Sequence, residues 1–203
     1  MKQEWLLLDM HMHSHCSAIT KNGDSTRVKK MSAKEFIEII SSKNVKIFSV
    51  TDHNYFSKEY YDSLDKYILD NNLSMKLING VEFDVYVDLE DDKEDYIHVC
   101  VYFDDDVNRE KLEKIVHSLY IDSNGNELKP RFDEILGKLY ELKTKMIIIP
   151  HGDKSRGLLD NRLFDKISKS NVSEFYKYAM YKIFNCILNY AIARCQFFLH
   201  WAV

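Results

Sequence analysis

The 203-residue sequence predicts an α/β fold with a mainly parallel sheet. Short apolar runs of strand length alternate with longer segments of helical periodicity. Ionisable residues gather just beyond several of the apolar runs. With only 6 Gly and 2 Pro, the connections must be short or charged. The length and the 45% hydrophobic content allow one sizeable core, hence one domain.

Taken in order, Trp5 to Met10 reads as the first strand. Ser32-Ala33-Lys34-Glu35 has the form of a capping box, opening a helix with Phe36, Ile37, Ile39 and Ile40 on its apolar face. Lys46 to Thr51 is a second strand and Lys58 to Asp70 a second helix. Met75 to Val81 is a third strand. The alternating runs Phe83 to Leu89 and Tyr96 to Phe103 follow, and the acidic turn Glu90 to Asp95 can fold them into a hairpin. Helices are expected over Glu110 to Tyr120 and Pro130 to Leu142, separated by the Asn124-Gly125-Asn126 turn. Lys145 to Pro150 is a strongly apolar strand, and residues 161–203 read as a helical carboxy-terminal segment after a core spanning 1–160. Five or six strands fall short of the eight of a closed barrel, so either the barrel is incomplete or the chain stops early.

The net charge of −4 excludes a global basic field for nucleic acid, leaving only local contacts. Cys16, Cys100, Cys186 and Cys195 form no CxxC pair, and no signal-peptide layout opens the chain, so a reducing cytoplasm is the expected home. The stretch Ala179 to Val203 is interrupted by Lys182, Asn185, Asn189, Arg194, Gln196 and His200, which argues against a membrane span.

Chemistry concentrates at the strand ends. His11 and His13 lie two apart in extended backbone, which turns both to one face and lets them grip one metal. The plain alternative is a polar loop with Ser14, His15 and Ser17. Thr51-Asp52-His53-Asn54 follows a second apolar strand; Asp52 could be a ligand or the acceptor that orients a metal-bound imidazole, or simply a helix cap. Glu82 follows the third strand, His98 lies within the next, and His151 follows Ile147-Ile148-Ile149-Pro150. Each has a structural excuse by itself; together they point to one site, because the carboxyl ends of parallel strands share an edge. His15, His117 and His200 fall outside this pattern.

This series resembles the polymerase-and-histidinol-phosphatase (PHP) family of metal-dependent phosphatases and nucleases. Trp5 through His13, Thr51 to Asn54, Gly80-Val81-Glu82 and His151-Gly152-Asp153-Lys154-Ser155-Arg156-Gly157 resemble, more narrowly, the amino-terminal domain of TrlF-type proteins, which join a PHP domain to a large ATPase. The resemblance implies a distorted seven-stranded, TIM-like barrel, here incomplete, holding two to three divalent transition metals. It implies one metal on His11, His13 and Glu82, a second on Glu82, His98 and His151, and a third on His53. Histidine-rich ligation suits Zn, Mn or Fe. Two metals about 3.5–4 Å apart can deprotonate a bridging water while neutralising phosphate oxygens.

Lys154 and Arg156, in the loop after His151, are suited to holding a phosphate ester, nucleic acid included; an ordinary solvated loop is the alternative. Two departures stand out: Ala18 follows Ser17 where the family carries an acidic residue or histidine, with His15 or Asp24 as substitutes, and no Asp-x-His pair follows His151, Asp153, Asp160 and Asp165 being candidates by type only. They support an alternative reading as a catalytically silent metal-binding module of an ATPase-linked system, or a piece of a longer chain. An amidohydrolase-like enzyme is a third reading, against which Glu82 stands where a bridging lysine is usual.

Overall fold

A computed structural model of the protein describes residues 6–19, 30–88, 94–151 and 157. One sheet runs in sequence order: β1 (Leu7–Met12), β2 (Val45–Val50), β3 (Lys76–Asp88), β4 (Glu94–Phe103) and β5 (Met146–Pro150). The helices are α1 (Ala33–Ser42), α2 (Lys58–Asp70), α3 (Arg109–Tyr120) and α4 (Phe132–Leu139), with single 3-10 turns at His15–Ile19 and Tyr140–Leu142. The alternation predicted from the sequence is present, and the fold is α/β.

The sheet is mixed rather than mainly parallel. β1, β2 and β3 pair in parallel, but β4 is antiparallel to both β3 and β5. The cause is the hairpin: β4 returns along β3, and β5 adds to its far side. Two reversals leave β5 running in the direction of β1 to β3, so the residue after β5 emerges on the same edge as those after β1 and β2. Among the described residues the sheet is open, with β1 and β5 as edge strands on which Leu8, Ile147 and Ile149 are exposed. The same residues contain no helix long and apolar enough to cross a membrane.

Two differences from the sequence reading bear on the site. The first strand reaches Met12, so His11 lies inside it. The separate runs Met75 to Val81 and Phe83 to Leu89 are one strand, so Glu82 is interior to β3 rather than beyond its end. β3 outlasts its continuous parallel pairing, which stops at Val50 and Asn79, and runs on against β4 from Asn79 to Asp88, with a single further parallel bridge from Glu82 to His53. Glu82 therefore stands just past the edge of the parallel sheet while its own backbone stays extended. The Trp5 start of the first strand, most of the acidic turn, Asp24 and the 161–203 segment lie outside the described residues.

The helices are set by local signals. The capping box closes, with Ser32 Oγ accepting from Glu35 N–H at 3.3 Å and Ser32 N–H donating to Glu35 at 2.8 Å. Phe36, Ile37 and Ile40 of α1 are buried, whereas Ile39, about 100° away from its neighbours on the helix, is exposed. Asn108 caps α3, and Arg109 beside it donates to Asn79 at 2.7 Å, Asp62 at 2.9 Å and Asp65 at 2.5 Å, tying α3 to α2 and to the end of the β2–β3 pairing.

Where that pairing ends, a side chain takes over. The buried Tyr61 hydroxyl accepts from Gly80 N–H at 3.0 Å and donates to the Val50 carbonyl, joining β3 to β2 one step beyond their last paired residues. Gly80 is required there, because a Cβ would collide with Ser49 Oγ and crowd Thr51 and Tyr102. Tyr61→Phe is expected to lower unfolding free energy by about 2 kcal/mol in denaturant titration, since it leaves a buried donor and acceptor without partners.

Candidate metal centre

The edge built by β1, β2 and β5 gathers the predicted residues around the β3–β4 hairpin. His11 lies near the end of β1, and His13 follows that strand. The segment after β2 continues alongside its neighbours: Thr51 N–H donates to the Met12 carbonyl at 2.7 Å, Glu82 N–H to the Asp52 carbonyl at 3.2 Å and Asn54 N–H to the Glu82 carbonyl at 2.8 Å. These bonds carry His53 beside Glu82. Asn54 then turns the chain in the left-handed region, φ 52°, which Asn adopts more readily than most residues. On the far side, His151 N–H donates to the His98 carbonyl at 3.0 Å, extending the β4–β5 ladder by one residue.

Five imidazoles close a ring around Glu82. Successive centroids are 5.0 Å apart for His11 and His13, 4.7 Å for His13 and His53, 4.8 Å for His53 and His98, 5.3 Å for His98 and His151, and 4.8 Å for His151 and His11. Glu82, fully buried, has its Oε2 3.2 Å from His13 Nε2, 3.2 Å from His53 Nε2 and 3.8 Å from His11 Nε2. Its Oε1 is 2.9 Å from His98 Nδ1 and 3.1 Å from His151 Nε2. Each carboxylate oxygen thus faces its own set of nitrogens, with His11 and His13 on one side and His98 and His151 on the other.

The donor set fits divalent metal. Burial by itself would push the Glu82 carboxyl up, but the contact with His98 and the charges of His53, His98 and His11 outweigh it and hold the group at about 2, so it is anionic. Despite the short distances, neither Glu82 oxygen has a well-aligned hydrogen bond, and both are sealed from solvent. Buried carboxylate oxygens are seldom left without aligned donors in a folded protein. A cation between carboxylate and ring nitrogens satisfies both. Among the described residues three groups can converge on an ion, each with ligand atoms within 4.8 Å of one another: His11, Glu82, Cys100 and His151; His13, His53 and Glu82; and His53, Asp84 and His98.

Sequence reasoning missed two of these residues. Asp84 is buried, with Oδ1 3.5 Å from His53 Nδ1 and 3.4 Å from His98 Nε2; Asn54 braces it, donating to Oδ2 at 2.9 Å and accepting from Asp84 N–H at 2.7 Å. Cys100 lies directly across the ladder from Glu82. The available signal was period two: Glu82 and Asp84 share a face of β3, as His98 and Cys100 share one of β4.

Asp52 does not join the ring. It accepts from Ser14 N–H and Ser14 Oγ, both at 2.6 Å, and in no candidate group among the described residues does it appear. Burial raises its carboxyl to about 6 against the pull of those two bonds. Its work is to pin the turn that carries His13 and Ser17. Thr51 Oγ1 stands 2.8 Å from His11 Nδ1 and Ser17 Oγ 3.2 Å from His13 Nδ1, so each imidazole is oriented by a hydroxyl. His15 packs on Tyr60, away from the ring. Lys154 and Arg156 lie outside the described residues.

No protein-family model and no curated protein matches the chain. Among solved structures it is similar to a protein from Bifidobacterium adolescentis described as a metal-dependent phosphoesterase, at 10% identity and a TM-score of 0.47 over 82% of this chain and 76% of that one. A likeness at that level transfers neither fold nor activity.

Proposed function

We propose that the chain is a metal-dependent phosphoesterase of PHP type, hydrolysing a phosphomonoester or phosphodiester, with nucleic acid among the eligible substrates. One observation carries the reading: a sealed, anionic glutamate encircled by five imidazoles, its two oxygens turned to different nitrogens. The phosphoester class follows from the resemblance of the HxH, Thr-Asp-His, Gly-Val-Glu and His-Gly-Asp segments to PHP proteins. On the same reading the five strands belong to a distorted, incomplete barrel.

Glu82 would bridge two metals, with His11 and His13 toward one, His98 and His151 toward the other, and His53 serving a third or sharing the first. Bound divalent metals supply Lewis acidity to the phosphoryl oxygens and make water nucleophilic near neutral pH. The protein's own groups fix the geometry: Thr51 and Ser17 aim His11 and His13, Asn54 holds Asp84, and Asp52 anchors the turn between them. Lys154 and Arg156 are assigned to the phosphate of the substrate, Arg by its planar fork and Lys as a point charge.

The test is to count metals in purified protein by elemental analysis and assay hydrolysis of activated mono- and diesters with Zn, Mn and Fe. Bound transition metal with turnover that falls at least about a hundredfold in His13→Ala, roughly 2.7 kcal/mol of barrier, is the expected result. Stoichiometric metal without turnover on either ester would leave only a metal-binding module.

A further inference from the structure

We propose that Cys100 supplies a sulfur ligand to one of the metal ions, a role that rests on the metal-binding part of the reading above. Cys100 is 3% exposed, and its Cα pairs with Glu82 in the β3–β4 ladder, so the two side chains leave the same face side by side. Its Sγ is 3.3 Å from His11 Nδ1 and 3.9 Å from His151 Nε2. Two ligands of a tetrahedral zinc, with bonds of about 2.3 Å to sulfur and 2.0–2.1 Å to nitrogen, stand about 3.5 Å apart, close to the Cys100–His151 separation. His11 Nδ1 is held by Thr51 Oγ1 at 2.8 Å, so its approach to the sulfur is a neighbouring contact rather than a shared coordination. His151 Nε2 is in turn 3.1 Å from Glu82 Oε1, and that oxygen is buried without an aligned hydrogen bond.

The thiol's surroundings separate it from a packing cysteine. Cys16, about as buried, belongs to the hydrophobic core cluster and has one imidazole near it, His15 Nε2 at 3.7 Å, with no carboxylate in a ligand group among the described residues. Cys100 falls outside that cluster and shares a ligand group with two imidazoles and a carboxylate. Coordination forms one sulfur–metal bond and releases the thiol proton to solvent. A soft donor on one ion tilts that position toward zinc, ferrous iron or cobalt and away from manganese and magnesium.

Cobalt titration of the metal-free protein tests this without reference to activity. Wild type should develop a near-ultraviolet sulfur-to-cobalt charge-transfer band. Cys100→Ser should lose it, bind that cobalt at least tenfold more weakly, and keep its circular dichroism and its remaining cobalt, while Cys16→Ser keeps the band. Zinc-edge X-ray absorption of wild type should show one sulfur neighbour at about 2.3 Å. Cobalt or zinc bound in a shell of nitrogen and oxygen only, or a band that survives Cys100→Ser, overturns the proposal and leaves the metal centre standing. A folded wild type that takes up no cobalt overturns both.

Discussion

Glu82→Gln is expected to empty the site and to cut phosphoester hydrolysis at least about a thousandfold, on the order of 4 kcal/mol in the barrier. The substitution keeps side-chain size and removes one negative charge from the centre of five imidazoles. An amide presents one oxygen and one NH2 group, so it cannot offer both faces to cations as a carboxylate does. Metal content should drop with activity. The metal-free fold should persist, because the variant retains the backbone bonds to Asp52 and Asn54 that seat the strand. Elemental analysis beside far-ultraviolet circular dichroism separates these outcomes, and a variant with full metal and full turnover would rule out the bridging role.

Phe83→Ala should cost about 3–5 kcal/mol in equilibrium denaturation, a large share of a stability of roughly 5–15 kcal/mol. Phe83 is fully buried between Glu82 and Asp84 and points to the opposite face of β3, into the core with Val81 and Val85. Its ring stacks on Tyr120 with centroids 6.4 Å apart, and the Tyr120 hydroxyl donates to the Asp84 carbonyl at 2.9 Å. One truncation therefore opens a cavity and slackens the strand that presents both carboxylates. Metal affinity should weaken with stability although no ligand is touched. Leu69→Ala, at a position 76% exposed, should stay within about 0.5 kcal/mol. A loss below about 1 kcal/mol for Phe83→Ala would mean that the hairpin is held by something other than this packing.

The order of elements was legible because local chemistry writes it directly. The Ser32 to Glu35 cap and the apolar stripe of Phe36, Ile37 and Ile40 fix α1 within one segment, and the β-branched run Ile147-Ile148-Ile149 favours extended chain. The histidines could be nominated together rather than singly: each polar residue beyond an apolar strand has an ordinary structural use, but the carboxyl ends of parallel strands share one edge, so a series of them points to one site. Asp52 shows the limit. Its type and its place next to His53 suited a ligand, yet two hydrogen bonds from Ser14, a residue 38 positions earlier, turn it away.

The sequence by itself determined the alternation of strands and helices over the described residues, and nominated His11, His13, His53, Glu82, His98 and His151 as the residues to watch. Only the tertiary structure decided that β3 runs on past β2, that β4 reverses the sheet, and that Asp84 and Cys100 stand beside the imidazoles while Asp52 is turned to Ser14. The physical reason is range. Periodicity and capping act over a few neighbours, whereas the convergence of side chains depends on strand register across 40 to 89 positions, as in the contacts of His11 with Thr51 and Cys100.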